Sequence, residues 1–268
     1  MHHPKIKSLF KYCPFTTRAV STLIGGKLWY PSASTFNDPL DSNVIDFEHR
    51  FQVARKVVIK QTLRREPTLK ISDNLESKLA INIRSIHDAF IARQSSIETK
   101  ISEARKGMQI SLQNSIHNFG ILCLSETDKS ILMWSHYASS HGGICLEFER
   151  SESNKLGTDA RPVKYVRRRF KNDDPDLILE KYIGWKYERE WRILENKGNR
   201  LYAFPGRLLS VTCGAMMSSA DKEVVSYLIR LLDNTGGERI KFKVAAMSPV
   251  SYRLSIVSCE GRHTARLR

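Results

Sequence analysis

Helical and extended patterns are grouped along this chain rather than alternating, and that grouping constrains its fold more than any single motif. From about Phe47 to Asn118 the apolar residues recur at helical intervals, with Leu79, Ile83, Ile86 and Phe90 followed by Ile97 and Ile101. Pro67 interrupts this run and divides it into at least two helices. After Gly120 the periodicity becomes that of strands: Ile121–Ser125, Ile144–Glu149, Val163–Val166, Lys186–Leu194, Leu209–Cys213, Ile240–Ala245 and Leu254–Ser258. The first forty residues read as a strand (Lys7–Tyr12), a helix (Thr17–Ile24) stopped by Gly25-Gly26, a second strand (Lys27–Tyr30) and a turn at FNDPLD. Two further helices are expected, near Ser130–Ala138 and over Ala220–Leu232. Parallel α/β folds need alternation, so the expectation is an α+β fold with mixed, largely antiparallel sheet and an inserted helical layer. A single domain over residues 1–268 carrying the insertion at 47–118 is expected.

Charge and cysteine usage narrow the function classes. Forty-three basic residues against 28 acidic ones give a net charge of +15, which favours nucleic acid or another anionic partner. The densest basic cluster is Arg161, Lys164, Arg167, Arg168, Arg169 and Lys171; without regular aromatic interleaving it reads equally as a solvated basic face. Five cysteines without a CxxC pair argue against a disulfide framework, and no run is apolar and long enough for a membrane span or a secretory signal. A cytoplasmic protein without membrane contact is the expectation. Walker, GxGxxG, GxSxG and HExxH motifs are all missing, which lowers the standing of the common nucleotide-hydrolase, dehydrogenase, hydrolase and zinc-protease classes.

Two segments carry groups suited to chemistry. In Trp185–Ile193, read as a strand, Trp185, Tyr187, Trp191 and Ile193 share one face with Arg189, while Lys186, Glu188, Glu190 and Arg192 share the other. The charged face is either a solvated row of weak ion pairs or a pair of carboxylates held rigidly for catalysis. In Trp134–His141, two histidines stand near Cys123 and Cys145, but the spacing matches no zinc pattern, so no metal is expected. Nothing around Cys145 specifies an activated thiolate. Gly142-Gly143 then serves a tight turn or a close backbone approach to a ligand.

The runs LFKYCPF (Leu9–Phe15), GGKLWYPSASTFNDPLD (Gly25–Asp41), LMWSHYASSHGGICLEF (Leu132–Phe148) and KYEREWR (Lys186–Arg192) together resemble the bacterial domain of unknown function (DUF) 2971 family. That family supplies no established reaction. In layout the chain is also similar to ADP-ribosyltransferase-like folds, including toxins that modify DNA. The second resemblance implies a cytoplasmic enzyme of bacterial defence or toxin type that uses NAD, without a metal, and acts on a nucleic acid. It implies that Glu190 bonds the nicotinamide ribose and stabilises an oxocarbenium-like transition state, while Glu188 positions the acceptor. Lys11, Tyr12, Ser32, Ser34, Trp134, His136 and Tyr137 would then surround the cofactor. Where an arginine is expected after Lys11-Tyr12, this chain has Cys13, which removes a planar phosphate-binding group. The alternative is a non-catalytic module binding nucleic acid or another anionic partner through its basic cluster.

Overall fold

A computed structural model describes residues 3–38, 41, 92, 95–104, 106, 107, 110, 111, 114, 117–167, 178–233 and 239–259. The chain divides into two compact units, one formed by residues 1–42, 117–168 and 178–268, the other by 43–116 and 169–177. Most of the second unit, including the region around Pro67, lies outside the described residues; within it, residues 95–104 are helical.

The first unit is built on an eight-stranded sheet. Its strands are β1 (Ser8–Cys13), β3 (Gly120–Ser125), β4 (Ile144–Glu149), β5 (Arg161–Pro162), β8 (Glu190–Glu195), β10 (Leu208–Cys213), β11 (Lys241–Met247) and β12 (Leu254–Ser258), in the order β12-β11-β10-β4-β1-β3-β8-β5. All neighbours run antiparallel except β10 and β11, which are parallel. Helix α4 (Ser219–Asp233) connects that parallel pair, as a parallel connection requires a crossover. Strands β2 (Lys27–Tyr30) and β9 (Arg200–Ala203) form an antiparallel ribbon, and β6 (Lys164–Val166) and β7 (Glu180–Tyr182) a parallel one. The fold is therefore α+β with a mixed, mostly antiparallel sheet.

Period-two alternation gives the main sheet two different faces. Leu9, Leu122, Leu124, Ile144, Leu146, Phe148, Trp191, Ile193 and Val211 form one core with Ala19 and Leu23 of α1 (Thr17–Gly25) and with Val225, Leu228 and Ile229 of α4. The intervening residues Tyr12 and Cys145 face the other way, against Met133 and Trp134 of α2 (Ile131–Tyr137). Helix α1 ends as its glycines suggest, with Gly26 left-handed at φ 60°. Helix α2 is capped by the Ser130 hydroxyl, which accepts from the Met133 amide. The short helix α3 (Lys155–Thr158) is capped by Asn154 and lacks the apolar periodicity that would reveal it in sequence.

The Lys186–Leu194 segment differs from its expected form. Residues Ile183–Glu188 form a 3-10 helix, Arg189 is left-handed at φ 44°, and the strand begins only at Glu190. Arg189 is accordingly exposed rather than sharing an inward face with Trp191 and Ile193. The Gly142-Gly143 pair meets a packing requirement: a Cβ at Gly143 would lie 2.4 Å from the Cys13 carbonyl oxygen and 2.9 Å from the Ala138 Cα. Because both are backbone atoms, Gly143→Ala should destabilise the protein by about 1–3 kcal/mol, read as a lower midpoint in chemical denaturation. An unchanged midpoint would show that the β1–α2 approach can relax.

Candidate functional site

Strand β8 starts the site because its alternation sends Trp191 and Ile193 into the core and Glu190 and Arg192 to the opposite face. That second face is buried, not solvated: Glu190 is 4 % exposed and Arg192 0 %. The Arg192 Nε donates to Glu190 Oε1 at 2.7 Å. Its two terminal nitrogens donate to the Asp41 carboxylate at 2.9 and 2.7 Å, a bidentate clasp on the FNDPLD turn. One of them also reaches the Ile178 carbonyl at 2.6 Å.

Lys181, at the centre of β7, completes the cluster. Its ammonium lies 2.6 Å from Glu188 Oε2, 3.0 Å from Glu190 Oε2 and 3.5 Å from Asp41 Oδ2. The same ammonium stands 5.3 Å from the centre of the Trp185 ring. Glu188 is brought in by the end of the 3-10 helix, where its carbonyl accepts from the Ser125 hydroxyl at 2.7 Å. Tyr137 of α2 donates its hydroxyl to Glu188 Oε1 at 2.6 Å. The Glu190 amide donates to the Tyr165 hydroxyl of β6 at 2.7 Å, tying the small ribbon to the main sheet.

The two glutamates differ electrostatically. Burial works to raise the Glu190 carboxyl, but Arg192 and then Lys181 outweigh it and hold the group far below the usual carboxylate range. Burial also pushes Glu188 up; Lys181 opposes it, while the neighbouring Glu190 adds to the rise. The carboxylate oxygens of Glu188 accept from Tyr137 and Lys181, whereas those of Glu190 accept from Arg192 and Lys181. Asp41, Glu188 and Glu190 together face Lys181 and Arg192, so these five groups carry one surplus negative charge when all are ionised. Between the two glutamates, that surplus is less stable on Glu188. Tyr137, raised chiefly by burial and then by its bond to Glu188, remains a neutral donor.

A cavity of about 220 Å³ opens beside this cluster. Strands β1 and β3 pair only at Phe10 and Ser125, and consecutive residues from both, 10–12 and 123–125, line the space. Glu188, Glu190, Lys181 and Tyr137 form its polar wall, while Phe36 and Trp185 are among its aromatic ones. Trp185 is itself fixed by a 2.8 Å bond to the Asp38 carboxylate. The Cys123 thiol is also in the wall, where burial, followed by Glu190, pushes it well above the ordinary thiol range and so disfavours the thiolate. Among the described residues no group of three or more His, Cys, Asp or Glu side chains is placed to hold a metal ion.

The sequence-predicted site residues divide accordingly. Glu188, Glu190, Lys11, Tyr12 and Tyr137 meet at the cavity; Lys11 donates to the Cys123 carbonyl at 3.1 Å and Tyr12 to the Thr127 carbonyl at 2.8 Å. Ser32 and Ser34 are outside its lining and bond one another at 2.8 Å around a short 3-10 turn. Trp134 is fully buried behind Tyr12, its indole nitrogen bonded to the Asp128 carbonyl, and His136 is exposed beside Tyr187. Cys13 packs against the core rather than lining the cavity. Of the basic cluster, Arg161, Lys164 and Arg167 are exposed on or beside β5 and β6, while Arg168, Arg169 and Lys171 lie outside the described residues. Lys181, Arg192 and Asp41 were not marked as site residues by sequence. Arg192 had a usable signal, since it shares the Glu190 face of its strand.

The molecule is thus an α+β protein with a buried, charge-coupled carboxylate pair at the wall of a small cavity. Residues 133–193, from α2 through most of β8, match the family model described as "Protein of unknown function (DUF2971)". The matched stretch contains Tyr137, Lys181, Glu188, Glu190 and Arg192. No curated protein and no solved structure gives a significant match to the chain. No helix among the described residues is long and apolar enough to cross a membrane.

Proposed function

We propose that the cavity is the donor site of an enzyme that transfers ADP-ribose from NAD, with a nucleic acid as acceptor. The observation that carries this reading is the surplus negative charge centred on Glu188, placed at an aromatic-lined cavity in a chain of net charge +15. A locally negative wall of buried carboxylates stabilises positive charge developing on a ribosyl carbon. The volume suits a ring and its sugar rather than a whole dinucleotide, so the nicotinamide ribose would enter and the diphosphate would remain outside.

In this reading the bond between the ribose C1′ and the nicotinamide nitrogen breaks, and its electron pair leaves with nicotinamide. The acceptor's nucleophilic atom bonds to C1′, and its proton passes to Glu188. The raised position of Glu188 suits a proton acceptor better than that of Glu190. Glu190, neutralised by Arg192 and Lys181, instead holds the frame. This reverses the roles implied by the layout resemblance. Incubation with NAD and single-stranded DNA, RNA or protein should release nicotinamide, measured chromatographically; no release with any acceptor class would sink the proposal.

A non-catalytic reading is favoured by the exposure of Arg161, Lys164 and Arg167. If these residues contact phosphates, replacing all three with glutamine should flatten the dependence of log affinity on log salt by about two to three. An unchanged slope would remove them from the interface.

A further inference from the structure

The Trp134–His141 segment is only partly used by the first cavity, which Tyr137 lines and Trp134, His136 and His141 do not. Ser139, Ser140 and His141 are three successive non-glycine residues with positive φ, at 46°, 49° and 68°, a conformation side chains rarely adopt. Backbone bonds clamp this turn: the His141 amide donates to the Trp134 carbonyl at 3.1 Å, and the Met216 amide to the His141 carbonyl at 3.0 Å. The imidazole stacks on Trp134, with ring centres 6.5 Å apart and planes 13° from parallel. The result is a histidine only 8 % exposed whose Nδ1 has no hydrogen-bond partner. Buried polar atoms ordinarily find partners, and this one has none among the described residues. Burial lowers its pKa, which keeps the ring neutral and able both to donate and to accept.

His141 lines a second cavity, of about 530 Å³, formed with Ile131 and the tip of the β11–β12 hairpin. Its walls from Met247, Pro249, Val250 and Leu254 are apolar, and Tyr252 and Arg253 stand at the tip. Tyr252 is 99 % exposed and Val250 91 %. An uncovered tyrosine beside an arginine is a stacking platform next to a phosphate-attracting charge. Apolar walls that include an imidazole combine a surface for a base's face with hydrogen bonding for its edge.

We infer that this second cavity receives an unpaired nucleobase of a single-stranded nucleic acid, with Tyr252 stacking on the base, His141 bonding its edge and Arg253 meeting the backbone. Helix α2 contributes to both cavities, Ile131 to this one and Met133 and Tyr137 to the other. The inference depends on the proposed transfer reaction only for the chemistry after binding. Strand binding is therefore measured without NAD, so that failure of either idea leaves the other standing.

The experiment uses the full chain and fluorescence anisotropy at near-physiological salt, with labelled single-stranded DNA, single-stranded RNA and the matching duplex, and with a mononucleotide as competitor. Tyr252→Ala, at a fully exposed position, leaves folding intact and should weaken single-strand binding about tenfold. His141→Asn keeps a residue type that tolerates the left-handed backbone and should also weaken binding several-fold. Loss on both substitutions, whether DNA, RNA or the mononucleotide is the better ligand, supports the site and identifies its source. Parental affinity in both variants, no binding of any strand, or duplex binding as tight as single-strand binding with Tyr252→Ala silent would overturn it.

Discussion

Glu188→Gln should lower the rate of nicotinamide release by about 100- to 10,000-fold, the range for loss of a general base, while leaving the fold in place. Glutamine keeps the volume and can still accept from Tyr137 or Lys181, which now donate to the two carboxylate oxygens at 2.6 Å each. The substitution removes the surplus charge of the cluster without leaving an ammonium uncompensated, because Lys181 retains Glu190. Thermal unfolding therefore separates this variant from Glu190→Gln. The latter deprives both Arg192 and Lys181 of a buried partner and should reduce activity mainly by loosening the site. A Glu188→Gln variant with the parental rate of nicotinamide release would remove Glu188 from the proposed chemistry.

Arg192→Met carries the largest expected cost in stability, about 3–5 kcal/mol, because it strands buried carboxylates that now share one guanidinium. For a chain of this size that corresponds to a fall in Tm of roughly 6–20 °C. The side chain is 0 % exposed, so solvent cannot take over its role. Calorimetry of the parent and variant at neutral pH is the direct measurement. A fall of less than a degree or two would mean that the carboxylates take up protons at little cost and that the cluster is not a structural keystone. Loss of activity at an unchanged Tm would instead assign Arg192 to the chemistry.

Much of the main sheet was legible because its strands are short, alternating and bounded by turn residues. Ile144–Glu149 and Lys27–Tyr30 coincide with their expected ranges, and Gly26 ends α1 as a glycine there should. Among the elements that escaped, β7, β9 and α3 are three or four residues long and β5 only two, too short for periodicity to register. For the site, the carboxylate spacing drew attention to the pair that lines the cavity, but a strict period of two made Glu188 part of the strand. The left-handed Arg189 breaks that period, and a non-glycine left-handed residue leaves no composition signal. Lys181 was invisible for another reason: a single lysine in a short amphipathic stretch reads as surface, and only its partners' burial gives it meaning. A solvated and a buried charged face likewise weigh equally in sequence, because alternation identifies faces without saying what covers each.

The ribbon of β6 and β7 has a consequence for cooperativity. Each strand contributes only three residues, and a pair that short would ordinarily open and close by itself. Here Tyr165 accepts from the Glu190 amide, and Lys181 supplies the ammonium shared by Asp41, Glu188 and Glu190. Fraying the ribbon would withdraw that counter-ion from three buried carboxylates at once, so two strands too small to be stable alone are bound into the same unfolding unit as β8.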